Sequence, residues 1–176
     1  MQPELMLDPA ADDAARSKLL MAEARLRSVG GLWSAAGAAE GPLLLGCALL
    51  AFASGPNGAG AWRATMFLFL AAQRVMFVIQ GLRMRNLDPG NYGLVKVLAL
   101  LGVCAGPCGL VSWVVPFLVL GAAREVLTTE HAALRARTPH LTAPTSRFGI
   151  VAVAIAFLQP LVAVLALGWC LGAIEE

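Results

Sequence analysis

Charge is scarce in this chain. Of its 176 residues, 14% are Asp, Glu, Lys or Arg, whereas an ordinary soluble domain carries roughly 25%. Side chains that do chemistry are scarcer still: two histidines, one tyrosine and four cysteines. There is no G-x-S-x-G, no H-E-x-x-H, no phosphate-binding G-x-x-x-x-G-K-[ST] and no dinucleotide G-x-G-x-x-G. That removes the nucleophile-elbow, zincin, P-loop and Rossmann readings. An enzyme acting on lipid would need Asp, His or Ser clustered near one face, and here they are scattered. The net charge of +2 and the lack of a long basic run exclude a nucleic-acid binder.

The remaining polar candidates are weak ones. His131 and His140 straddle Thr138-Pro139 in a polar stretch, whereas axial haem ligands would project from facing apolar helices. No cofactor is expected, and His131 beside Glu130 reads as a solvated helix face. Cys47, Cys104, Cys108 and Cys170 lie in or beside apolar runs, where cysteine behaves as a small hydrophobe. Cys104-Ala-Gly-Pro-Cys108 could hold a soft metal only with two further ligands, and none is near in sequence. Packing is the reading for this pair, with a redox or metal role left open, and no metal site is assigned. The N-terminal residues include Glu4, Asp8, Asp12 and Asp13. A secretory signal begins basic and turns apolar within ~30 residues, so the first apolar run is expected to stay as an anchor.

What is abundant is apolar surface: 59% of the residues are hydrophobic and the mean hydropathy is +0.74. A single soluble core of this length cannot hide so much. The fold class that follows is an all-α integral membrane protein. It has three full transmembrane helices, at 31–53, 64–82 and 148–172, plus a hydrophobic hairpin at 94–123 broken by Gly106-Pro107-Cys108-Gly109, making four to five hydrophobic helices. Asp8-Pro9 starts a charged amphipathic helix whose apolar stripe is Ala15, Leu19, Ala22, Leu26 and Val29. Gly30-Gly31 is expected to interrupt it. The chain thus divides into a cytosolic amphipathic helix, 1–29, and a helical membrane domain, 30–176. The latter includes a cytosolic polar helix and loop at 124–147, with the helix running from Arg124 to Arg137.

Basic residues collect on the cytoplasmic side of short loops. With the N-terminus in the cytoplasm and 94–123 entering and leaving by one face, all 13 Lys and Arg residues except Arg63 and Arg74 lie inside. A single crossing of 94–123 would put Arg124, Arg135, Arg137 and Arg147 outside.

Depth arithmetic isolates one polar cluster. At about 1.5 Å per residue, Glu40 lies about 14 Å past Gly31, Arg74 about 12 Å before Leu82 and Gln159 about 16 Å past Phe148. All three fall near the middle of a ~30 Å hydrocarbon core. A lone charge there costs at least ~2.5–3.5 kcal/mol. Glu40 and Arg74 are therefore expected to pair across the first hairpin, with Gln73 and Gln159 completing the donors and acceptors. Close helix packing is expected at Gly102-x-x-x-Gly106, at Gly168-x-x-x-Gly172 and along Gly31, Ala35 and Ala39. Trp33, Trp62 and Trp169 suit an interfacial belt. The partners implied are the lipid bilayer and a second protein or another copy within the membrane. The leading functional expectation is a non-catalytic accessory subunit or scaffold. The alternative is a small transporter or channel using Glu40 and Arg74.

Overall fold

The computed structural model describes residues 9–55, 58–104 and 120–144. These residues contain helices and no strand. In chain order the helices are α1 (Pro9–Ser54), α2 (Ala59–Asn86), α3 (Tyr92–Cys104), a short α4 at 120–126 and α5 (Thr129–Arg137). α1 and α2 are each long and apolar enough to cross a membrane.

α1 is the spine of the molecule. Its 46 residues span about 69 Å at ~1.5 Å per residue, more than twice a hydrocarbon core. Contrary to the sequence expectation, it does not break at Gly30-Gly31. The two glycines have different surroundings. A methyl group on Gly30 would sit 2.5 Å from the carbonyl oxygen of Gly81 and 2.6 Å from the backbone nitrogen of Arg85, whereas one on Gly31 would meet nothing. Gly30 is there because α2 crosses against it, and the contact compensates for glycine's poor helix propensity. Pro42 also lies inside α1. It withholds one backbone donor from the preceding turn, yet the helix continues to Ser54.

The seam of α1 recurs every seventh residue. Arg16, Glu23, Gly30, Gly37 and Leu44 are buried, as are Leu26, Trp33 and Glu40 between them. Alternating steps of three and four are the signature of left-handed helix-on-helix packing. α2 runs antiparallel along the upper seam: Gly30 meets Gly81, and a methyl on Gly37 would lie 2.7 Å from the Arg74 carbonyl oxygen. The expected small-residue face at Gly31, Ala35 and Ala39 is therefore corrected. Ala35 and Ala39 are exposed, and the close approach runs through Gly30 and Gly37, one residue to the side.

α2 ends where Leu87 turns left-handed at φ 56°. Asp88 N–H then bonds the Arg83 carbonyl at 3.0 Å, a closure usually made by glycine. Leucine tolerates it because its side chain is 1% exposed in the core. That core sits at the lower end of the hairpin. It joins Leu26, Val29, Trp33, Met84, Leu87, Val95, Leu98, Ala123 and Val126. Trp33 packs there against Phe77, with ring centroids 5.2 Å apart, instead of facing an interface; Trp62 is exposed at the opposite end. The Gly90 N–H donates to the Leu127 carbonyl at 3.1 Å, so the two ends of the 94–123 block lie side by side.

The polar helix expected from Arg124 to Arg137 is two helices. The chain bends at Leu127-Thr128, and the Thr128 hydroxyl accepts the His131 N–H at 3.1 Å, capping α5. Val126 and Leu127 are buried in the core at this bend.

Candidate functional site

Two buried ionic clusters lie on the α1 seam. The upper one joins α1 to α2. Arg74 Nε stands 2.7 Å from Glu40 Oε2, with both side chains 4% exposed. The Arg74 guanidinium lies 5.3 Å from the centroid of the Phe77 ring, within cation–π range. Gln73 is buried on the same helix. Gln80, fully buried one level lower, directs Nε2 toward the Asn91 carbonyl at 3.5 Å. Helix α1 places Glu40 on the seam because it lies ten residues beyond Gly30, nearly three turns. A buried pair of this kind contributes little net stability when intact but is strongly destabilising to break.

Beside the pair lies an apolar groove of 520 Å³, lined by Gly37, Gly41 and Pro42 of α1 and Ala71, Ala72 and Val75 of α2. The glycines and alanines leave this groove because a hydrogen or a methyl group cannot fill it.

The lower cluster joins α1 to α5 and escaped the sequence reading. Glu23 is fully buried and Arg16 is 3% exposed. Arg16 Nε donates to Glu23 Oε1 at 3.1 Å. His131 Nε2 stands 2.9 Å from the same oxygen, and Arg27 approaches Oε2 at 3.9 Å. Arg16 also reaches across to α5. Its Nη1 donates to the Thr138 hydroxyl at 3.0 Å and to the Thr138 carbonyl. Outside this core, Arg137 pairs with Asp12 at 3.1 Å and His140 with Asp13 at 3.0 Å. Arg135 donates to the Asn86 carbonyl at 3.1 Å.

His131 is thus not a solvated helix face. Burial pushes its imidazole below the usual value of 6.5; Glu23 pulls the other way, while Arg16 and Arg135 add to the depression. The neutral ring is the favoured form. Sequence held one usable signal: Arg16 and Glu23 fall on the seven-residue register of Gly30 and Gly37. Charged residues at seam positions must be paired, which could have directed a search for their partner.

Gly102 lies in the last turn of α3, and Cys104 ends that helix. Gln159, Gly106, Gly168, Gly172 and Cys108 lie outside the described residues, as does the 148–172 span. Among the described residues no group of His, Cys, Asp and Glu could hold a metal ion. Compared with known proteins, the chain matches no family model, no curated protein and no solved structure.

Proposed function

We propose that this is a small, non-catalytic, multi-pass integral membrane protein that serves as an accessory subunit or scaffold of a membrane assembly, its N-terminus in the cytoplasm. The observation that carries this reading is the continuity of α1. One unbroken helix links an apolar hairpin to a polar lobe outside it, and α5 is clamped to that lobe through Arg16, Glu23 and His131. Such a strut transmits position between a membrane segment and a soluble face. The contact of Gly90 with Leu127 supports entry and return of 94–123 by the cytoplasmic face, with 148–172 as a further crossing.

The test is gentle extraction of tagged protein from its native membrane, crosslinking, and mass spectrometry of stoichiometry. A second protein at a fixed ratio is the expected result. A homogeneous particle of this chain and lipid alone overturns the subunit reading.

One observation favours the alternative of a small transporter or channel: an acid–base pair at 2.7 Å in the middle of the apolar hairpin. Ionisable residues at that depth are functional candidates by default. Under this reading Glu40→Gln abolishes flux in proteoliposomes and leaves the fold intact. Under the structural reading the same change lowers thermal stability.

A further inference from the structure

We infer that the base of the hairpin carries a cationic collar that binds the phosphate groups of anionic phospholipids. The collar is built by one core. Leu26, Met84, Val95 and Ala123 are buried members of a single hydrophobic cluster, contributed by four different helices. Each has a basic neighbour in sequence: Arg25 and Arg27 flank Leu26, Arg83 and Arg85 flank Met84, Lys96 follows Val95 and Arg124 follows Ala123. Adjacent residues on a helix point about 100° apart. A residue that faces the core therefore sets its neighbour on the rim, and all six basic side chains are exposed.

These cations are weakly neutralised. Arg25, Arg85 and Arg124 have no carboxylate within ion-pair distance among the described residues. Among the described residues Arg83 donates only to the neutral Asn91 side chain, at 3.3 Å, and Lys96 sits 4.6 Å over the Tyr92 ring. Of the six, Arg27 alone touches an acid among the described residues, Glu23 at 3.9 Å. Nearby acids are Asp88 in the turn and Glu125 on α4, fewer than the cations around them. Stable burial of the core thus holds like charges together on one rim. A layer of phosphates relieves that repulsion, and juxtamembrane cations gain about fivefold in affinity each near an anionic surface.

The collar's level fits this partner. It lies where the apolar halves of α1 and α2 end, next to the Gly30–Gly81 crossing, so a lipid whose tails lie along the hairpin places its headgroup against the rim. The inference rests on the membrane reading above.

The test uses full-length protein in phosphatidylcholine bilayers doped with spin-labelled phosphatidylglycerol or spin-labelled phosphatidylcholine. Electron spin resonance reads the fraction of each label immobilised at the protein. We expect phosphatidylglycerol to be preferred several-fold, and the preference to fall with salt. The R25Q/R85Q/K96Q/R124Q variant should bring the two lipids to parity. Single R85Q and R124Q variants, whose side chains have no ion-pair partner among the described residues, should each remove part of the preference. Equal immobilisation of both lipids by the unmodified protein overturns the collar alone. Immobilisation of neither overturns the collar and the membrane reading together. Loss of the preference on adding inorganic phosphate, at constant ionic strength, would show a free-anion site and also overturn it.

Discussion

The Glu40–Arg74 pair and the Arg16–Glu23–His131 cluster stand on the same face of the same helix, equally buried, and they are solved differently. In the apolar hairpin one carboxylate meets one guanidinium from the neighbouring helix, and α1 and α2 are close in sequence. In the polar lobe one carboxylate gathers three basic groups, two from its own helix and one from α5, more than a hundred residues away. The first cluster ties two helices adjacent in sequence; the second ties α1 to a remote element. Position along α1 decides the role: beside α2 the seam is closed by backbone contact at Gly30 and Gly37, and below α2 it has only side chains with which to hold α5.

The largest effect is expected from reversing one partner of the upper pair. Arg74→Glu leaves two carboxylates facing each other, and breaking such a pair costs about 3–5 kcal/mol. Membrane-inserted yield should collapse, and the double variant Glu40→Arg with Arg74→Glu should recover it. Failure of the double variant to recover any yield would show that the two side chains do not depend on pairing with each other. Glu23→Gln should weaken α5 docking by about 1.5–3 kcal/mol, the range for a hydrogen bond to a charged group. Amide exchange should accelerate across Thr129–Arg137 and stay slow around Arg74; equal acceleration in both places would show that the clusters are not separate.

A smaller effect tests the backbone contact. Gly30→Ala places a methyl 2.5 Å from the Gly81 carbonyl, and overpacking of this kind costs about 1–3 kcal/mol. Gly31→Ala meets open space and should gain about 0.5–1 kcal/mol of helix propensity. Thermal melts of the two variants should therefore move in opposite directions.

The smallest effect is the pH dependence that His131 gives the lower cluster. Docked His131 titrates below 6.5, so as pH falls beneath that value the undocked imidazole takes up its proton first. Docking is therefore at full strength above 6.5 and weakens on acidification through the window below it. Exchange across α5 should quicken in that window, and His131→Gln should remove the dependence. A docking strength that rises on acidification would show that Glu23 dominates over burial.

Much of this architecture could be read from the chain. Scarce charge and long apolar runs specify helices with the length and hydropathy of membrane spans. α1 is already helical at Pro9, the first described residue. The pairing of Glu40 with Arg74 was expected from the helical rise, which is the same for every residue whatever it touches and sets the two at nearly the same level of the first hairpin. Other features had no local cause. Whether a glycine breaks a helix or receives a neighbour depends on where α2 lies, so Gly30 and Gly31 look alike in sequence and differ in the fold. Leu87 adopts a left-handed turn because the core holds its side chain. His131 looked solvated because its partners, Arg16 and Glu23, are more than a hundred residues away. Helical rise and hydropathy are properties of single segments and are written in them; the face a side chain presents, and what it meets there, is settled only when segments pack.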